Sequence, residues 1–168
     1  YCLQKLGYKI GIVHCNFQLR GAESDSEEAF VKSFSEKNNI PFFVKKFETQ
    51  AIVEETGTSV QVVARNLRYA FFEEILNTAN YHYCALAHHA DDQAETLFMS
   101  LLKGNSPQIW KAMPIKRGKY VRPLLYIRKF EILETTKQFN IPFCTDSSNL
   151  KNDYSRNYTR NVVFPTLF

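Results

Sequence analysis

The chain has 168 residues, 45% of them hydrophobic and 23% charged, the make-up of one folded domain and not of a disordered tract. No run nears the ~18 apolar residues that span a bilayer and no signal peptide is visible, so no membrane partner is expected and the protein reads as cytoplasmic. A net charge of +4 is mild, and suits either a polyanionic partner such as RNA or ordinary solvated faces.

Residues 1–6 read as the tail of a helix. Residues 8–15, Tyr-Lys-Ile-Gly-Ile-Val-His-Cys, are almost continuously apolar, which predicts a strand buried on both faces. A polar loop over 16–23 leads to a helix over about 25–38, with Ser24 and Glu27 as a capping box. A second strand is predicted over 41–48, then a loop through Gly57. Thr58 with Gln61 fits another capping box, opening a helix to about Asn77 that buries Val60, Val63, Ala64, Leu67, Phe71 and Ile75. Cys84 to Ala87 ends a short buried strand. The helix after it sets Ala94, Leu97, Phe98, Leu101 and Leu102 on one face and stops at Gly104. A loop with Pro107, Pro114 and Gly118 precedes a strand over 120–124. A helix over about 128–139, an extended piece over 142–145, a polar segment over 146–153 and a last basic helical stretch complete the chain. Strands alternating with helices predict an α/β fold, doubly wound around a mostly parallel sheet. A strand normally precedes the first helix of such a unit, so the first strand is expected to be missing.

The densest chemistry lies at 88–95, where a strand gives way to His88, His89, Asp91, Asp92 and Glu95. The carboxyl ends of parallel strands are where ligands bind. The spacings i, i+3 and i, i+4 let Asp91, Asp92 and Glu95 share the first turn of a helix. Two chemistries fit these residue types: histidines and carboxylates holding divalent metals in a phosphohydrolase, or carboxylates that hold magnesium on a nucleotide's phosphates or take a nucleophile's proton. The loop after the first strand, His14-Cys15-Asn16-Phe17-Gln18-Leu19-Arg20-Gly21, should face the same crevice. His14 also suits a structural role, and Arg20 can simply pair with Asp25. Arg65, Arg68 and Phe72 fall on one stripe that can clamp phosphate, or its arginines can pair with Glu73 or Glu74. Lys116, Arg117, Lys119, Arg122, Arg128 and Lys129 crowd one stretch, followed by Arg156 and Arg160. Cys2, Cys15, Cys84 and Cys144 form no C-x-x-C pair, which argues against a cysteine-held zinc or cluster and for buried free thiols.

His88-His89-Ala90-Asp91-Asp92-Gln93-Ala94-Glu95-Thr96, together with Ala64-Arg65-Asn66-Leu67-Arg68-Tyr69, resembles the tRNA(Ile)-lysidine synthases. So do Val13-His14-Cys15-Asn16 with Leu19-Arg20-Gly21 and Ser24-Asp25, Arg122-Pro123-Leu124-Leu125, Asp146-Ser147-Ser148-Asn149, and the run from Tyr154 to Arg160. The resemblance covers about residues 10–165 and implies a PP-loop ATP pyrophosphatase: a Rossmann-like sheet with helices on both faces, and residues 1–168 as one PP-loop catalytic domain. It implies ATP with Mg2+, L-lysine, an isoleucine tRNA with a CAU anticodon, and room for a homodimer. In that family's reaction the wobble cytidine is adenylylated at its C2 oxygen, and the lysine ε-amine then displaces AMP to give lysidine. By motif, Asp91, Asp92, Glu95 and Arg65 are the catalytic candidates, with Asp91 and Asp92 also able to hold magnesium. His14, Asn16, Arg68 and His89 are candidates for ATP or phosphate, and Arg20, Arg122, Arg156 and Arg160 for tRNA. Two features depart from the family. Its phosphate loop, Ser-Gly-Gly-x-Asp-Ser, does not occur in these residues and is expected upstream of Tyr1, and Phe17-Gln18 stands where many members carry His-Gly. A sister PP-loop enzyme that thiolates tRNA cytidine is the related alternative, and unpaired cysteines argue against it.

Overall fold

Ile12–Asn16 (β1) and Phe42–Lys46 (β2) run parallel in register Ile12 to Phe42 through Asn16 to Lys46, joined by the helix Ala22–Lys37 (α2). Parallel neighbours need such a crossover, and a helix supplies it. This pair belongs to the first of two compact units, Tyr1–His82 and Tyr83–Phe168. The computed structural model describes residues 1–102, 104, 112–144 and 159–167.

The first unit begins with a single helical turn, Cys2–Lys5 (α1), and continues after β2 with Thr49–Thr56 (α3) and Val60–Thr78 (α4). The sequence pattern predicts a loop where α3 forms. Its only large apolar residues, Ile52 and Val53, are too few to mark a stripe, and Gly57 closes it in the left-handed conformation by donating to the Val53 carbonyl. β1 starts later than its apolar run, because Tyr8 closes α1 by donating to the Leu3 carbonyl. Gly11 then passes where a Cβ would lie 2.5 Å from the Tyr81 hydroxyl. The strand is half-buried up to Cys15 and fully buried only at Asn16, since β2 is its one partner strand among the described residues. The core gathers Ile40, Phe47, Val63, Ala64, Phe71, Phe72 and Leu76. Phe17 stacks on Phe47 at 5.6 Å, and Phe47 meets Phe71 edge-on at 6.2 Å.

Neither predicted capping box in this unit forms. α2 opens at Gly21, and the Ser24 hydroxyl, one turn in, accepts the Arg20 N–H, while Ser59, not Thr58, precedes α4. Val60, Leu67 and Ile75 are half-buried, and Phe72 and Leu76 take the core positions instead. Phe72 stays on the stripe it shares with Arg65 and Arg68, but its ring is buried while both arginines are exposed, so that stripe borders the core instead of facing away from it.

Helices end by a recurring device. Asn39 follows α2 at φ +52°, with Asn39 and Ile40 donating to the Glu36 and Ser35 carbonyls. Asn140 repeats this at φ +49°, with Asn140 and Ile141 donating to Lys137 and Thr136. Both are Schellman closures with asparagine in the left-handed position and proline next but one, so Asn-Ile-Pro-Phe stops two helices in one chain.

In the second unit, Cys84–Ala85 (β3) runs parallel to Tyr120–Val121 (β5), which pairs antiparallel with Lys116–Arg117 (β4). The predicted single strand over 120–124 is thus the second arm of a hairpin, cut short by the turn that begins at Pro123. Gly118 at φ +58° supplies the first position of its two-residue turn. Ala90–Leu102 (α5) and Lys129–Gln138 (α6) follow β3 and β5, and a five-residue π-turn, Thr159–Val163, leads into Phe164–Leu167 (α7). Residues 142–144, expected to be extended, join no strand. Residues 145–158, with the predicted polar segment and Arg156, lie outside the described residues.

The face of α5 differs from its pattern. Ala94, Leu101 and Leu102 are exposed, Leu97 and Phe98 are half-buried, and Glu95 is the buried residue. In its first two turns, α5 therefore buries Glu95 and half-buries Asp91 and Asp92, where the sequence predicts an apolar face. Phe98 meets Phe164 edge-on at 5.5 Å, and Leu125 is fully buried. The architecture is α/β, with the strands of the described residues hydrogen-bonded as two small sheets, one in each unit.

A candidate active site

In the first unit, the carboxyl end of β1 is held by one buried side chain. Asn16 is 1% exposed. Its Nδ2 donates to Asp25 Oδ1 at 3.0 Å and Glu28 Oε2 at 2.8 Å, and its Oδ1 accepts the Gln18 N–H at 3.0 Å. Lys46, at the end of β2, donates to Asp25 at 2.7 Å. Lys46 first, and Asn16 after it, hold the Asp25 carboxyl below its usual range. Asn16, proposed by motif for ATP or phosphate, is thus committed at both ends of its amide to shaping the loop that follows. Gln18 sits in that loop at φ +53°, held by hydrogen bonds from Nε2 to the Phe47 carbonyl at 3.2 Å and Glu48 Oε1 at 3.0 Å. Arg20 pairs with Glu27, and more loosely with Glu23 at 3.8 Å, not with Asp25.

Arg68 rises from α4 onto the same loop, its guanidinium 5.1 Å from the Phe17 ring centroid, and Arg65 lies 4.9 Å from that of Tyr69. Both arginines are exposed, and Glu74 pairs with Lys45 instead of either. Each guanidinium lies beside an aromatic face, a contact that does not use up its fork of N–H donors. His14 is half-buried beside Phe42. Burial lowers its pKa, against the opposing pull of Glu28 and Glu27. Burial pushes the Cys15 thiol up to about 11, with Arg68 opposing, so this cysteine stays protonated and unreactive at neutral pH. Of the four cysteines, Cys2 and Cys144 are exposed and Cys15 and Cys84 half-buried, where buried thiols were expected.

In the second unit, β3 delivers the chain to the start of α5, where His89, Asp91 and Asp92 come together. Asp92 accepts the His89 N–H at 2.9 Å, a carboxylate three residues into the helix satisfying the residue that opens it. The His89 ring lies between two carboxylates, with Nδ1 3.4 Å from Asp91 Oδ2 and Nε2 3.6 Å from Asp92 Oδ2. Asp91 Oδ2 accepts the backbone N–H of Lys129 at 2.8 Å. Burial alone would raise the pKa of Asp91. The Lys129 N–H, Asp91's own N–H, His89 and Arg128 outweigh it, so the carboxyl is held below its usual value. Glu95 lies one turn on, 1% exposed. Among the described residues, no three His, Cys, Asp or Glu side chains are grouped to hold a metal ion. Asp91 and Asp92 fit magnesium only in its usual manner, through one or two carboxylates with water and substrate phosphate completing the shell.

Two supports of this region were not picked out as such from the pattern. Gln93 Nε2 donates to the Met113 carbonyl at 3.0 Å and its Oε1 accepts the Met113 N–H at 2.7 Å, a side-chain amide acting as a strand partner. Arg122, proposed for tRNA, is buried and donates from Nη1 to the Pro114 carbonyl at 2.8 Å, so it braces the hairpin instead of presenting a surface cation. Arg160 falls within the π-turn Thr159–Val163.

An α/β fold with polar residues at the carboxyl ends of β1 and β3 places them where parallel sheets bind their ligands. The sequence profile of the PP-loop domain family matches residues 1–167, and the chain belongs to that family. It is 39% identical over 165 residues to the tRNA(Ile)-lysidine synthase of Parabacteroides distasonis, matching 98% of this chain and 38% of that protein. Against the synthase of Chlorobaculum tepidum it is 35% identical over 159 residues, 95% of this chain and 48% of the relative. Against that of Bacillus subtilis it is 39% identical over 158 residues, 92% and 34%. The chain thus spans from a third to about half of these relatives' lengths. Among solved structures, the U34-tRNA thiolase NcsA from Methanococcus maripaludis with its [4Fe-4S] cluster superposes at a TM-score of 0.61 with 19% identity, covering 92% of this chain and 61% of that one, a likeness of fold. Among the described residues, no helix is long and apolar enough to cross a membrane.

Proposed function

We propose that this chain is the catalytic portion of an ATP-dependent ligase that joins L-lysine to the wobble cytidine of an isoleucine tRNA with a CAU anticodon. The cytidine is first adenylylated at its C2 oxygen with release of pyrophosphate, and the lysine ε-amine then displaces AMP. The observation that carries the reading is the extent of identity to the lysidine synthases, 35–39% over 92–98% of the chain.

The chemistry of the residues supports particular roles. Asp91, held ionised and partly exposed, suits the lysine ammonium: a carboxylate with a depressed pKa anchors a cation better than it removes a proton. Asp92 holds the helix start that presents Asp91, and Glu95 supports the same turn from the interior. Asp91 and Asp92 would also hold magnesium, which when bound offsets negative charge on the triphosphate. Arg65 and Arg68 are assigned to phosphate or the adenylated base, and His14 and His89 are each kept as candidates for ATP or phosphate. Arg20, Arg156 and Arg160 are left to tRNA, and Arg122 to support. The test uses the full-length protein, which should incorporate labelled lysine into a CAU-anticodon isoleucine tRNA in the presence of ATP. Absence of incorporation refutes the function. Full activity in Asp91→Asn refutes the assigned role but not the function.

A further inference from the structure

Residues 96–130 hold eight Lys or Arg and no Asp or Glu. The imbalance belongs to one unit: residues 83–168 carry twelve Lys and Arg against seven Asp and Glu, whereas residues 1–82 carry nine against ten. The described residues expose these cations at two places. At the β4–β5 turn, Lys116, Arg117, Gly118 and Lys119 are all exposed, and Lys116 lies 4.5 Å above the ring of exposed Tyr83. At the step into α6, residues 126–130, Tyr-Ile-Arg-Lys-Phe, are exposed throughout, Tyr126 to 73% and Phe130 to 51%. Arg128 stands 5.1 Å from the Phe130 ring centroid.

This step is fastened to the candidate site. Ile127 accepts the Ala90 N–H at 2.9 Å, and Lys129 donates its backbone N–H to Asp91. The acidic groups nearby are Asp91 itself, Glu131, whose carboxylate accepts the Arg128 N–H at 2.8 Å, and Glu134 further along α6. Large rings are ordinarily turned inward, and here two stand in solvent among cations. Cations beside exposed aromatic faces are what unpaired nucleic acid requires: the charges take phosphates, and the rings stack bases of any sequence.

We propose that the hairpin tip 116–119 and the step 126–130 form a single-stranded RNA-binding strip, in which Lys116, Arg117 and Lys119 take backbone phosphates while Tyr126 and Phe130 stack unpaired bases beside Asp91. The proposal rests on the tRNA reading above and adds to it the surface that would present the target base.

The test is fluorescence anisotropy of the full-length protein with a CAU-anticodon isoleucine tRNA transcript, an unstructured ten-nucleotide RNA and a duplex RNA, across a salt series. Reversing two cations, Arg117→Glu with Lys119→Glu, should weaken all three at least tenfold. It should also flatten the log–log salt dependence for the unstructured RNA by about 1.4, two phosphate contacts at ~0.7 each. Tyr126→Ala should weaken the unstructured RNA about 5- to 100-fold, leave its salt slope unchanged and spare the duplex. Tyr126→Phe, which keeps the ring, should bind as the wild type and so separates stacking from damage to the fold. Wild-type binding that neither the charge reversal nor Tyr126→Ala alters overturns the strip and leaves the proposed function standing. A wild type that binds no RNA overturns both. Weakened binding in these variants, with no lysine incorporation by the full-length wild type, supports the strip and overturns the function.

Discussion

Replacing Gln18 by alanine and by glycine separates two opposing contributions at one residue. Gln18 occupies left-handed backbone at φ +53°, which costs any side chain with a Cβ about 1–2 kcal/mol, and its amide makes two hydrogen bonds, to the Phe47 carbonyl and to Glu48. Each such bond contributes about 0.5–1 kcal/mol at a part-exposed site. Gln18→Ala keeps the backbone cost and loses both bonds, so it should destabilise by about 1–2 kcal/mol. Gln18→Gly loses the same bonds and the steric cost, but gains unfolded-state freedom of about 0.5–1 kcal/mol. The balance leaves glycine about 0.5–1 kcal/mol better than alanine and close to the natural residue. Urea unfolding followed by far-UV circular dichroism resolves this: with a slope of about 1–3 kcal/mol/M, the glycine midpoint should lie ~0.2–1 M above the alanine midpoint. A glycine midpoint at or below that of alanine would refute the argument that conformation and amide bonds offset each other here.

The buried Asn16 amide should be harder to replace. Asn16→Ala is expected to cost about 2–3 kcal/mol in the same assay, and Asn16→Asp more, since it sets a third carboxylate beside Asp25 and Glu28; equal losses would show that repulsion there is negligible. His14 has a folded pKa below the ordinary histidine value of 6.5, so the unfolded chain binds the proton more readily and stability should fall as pH drops below ~6.5; His14→Gln should flatten the loss between pH 7 and 5, and an unchanged profile would assign that loss to other groups. Gly11→Ala places a methyl 2.5 Å from the Tyr81 hydroxyl and 2.8 Å from its Cζ, and should cost about 1–3 kcal/mol. Tyr81→Ala in that background should recover part of it, which a thermal melt can measure.

The sequence predicts much of this molecule where one physical cause dominates. α4 is long enough for its 3.6-residue period to stand out, and β1 and β2 are short apolar runs on either side of α2. The cluster at 89–95 falls at a strand-to-helix junction as its composition implies. The misplacements arise where two causes compete. α3 has too little apolar surface to show a stripe, and forms as a short helix ended by Gly57. Ser24 and Thr58 carry the right side chains for helix starts, yet Gly21 and Ser59 take those positions, because a capping pattern does not say which of several small residues will have non-helical dihedrals. Arg122 and Arg20 look alike in sequence as surface cations. One is buried on the Pro114 carbonyl and the other is held by Glu27, partners set by chain folding that spacing does not reveal. The His-Gly that many family members carry where this chain has Phe17-Gln18 is explained by the backbone: the second position is left-handed, glycine takes it freely, and Gln18 takes it with two hydrogen bonds as compensation.

The paired hydrogen bonds between Gln93 and Met113 make one side chain a joint. They fasten the first turns of α5 to the approach to the β4–β5 hairpin, twenty residues further along. Because both bonds run through the same amide, removing it breaks them together and leaves the Met113 N–H and carbonyl without that partner. The placement of the hairpin approach against the helix that carries Asp91 is thus set by the length and chemistry of a single glutamine.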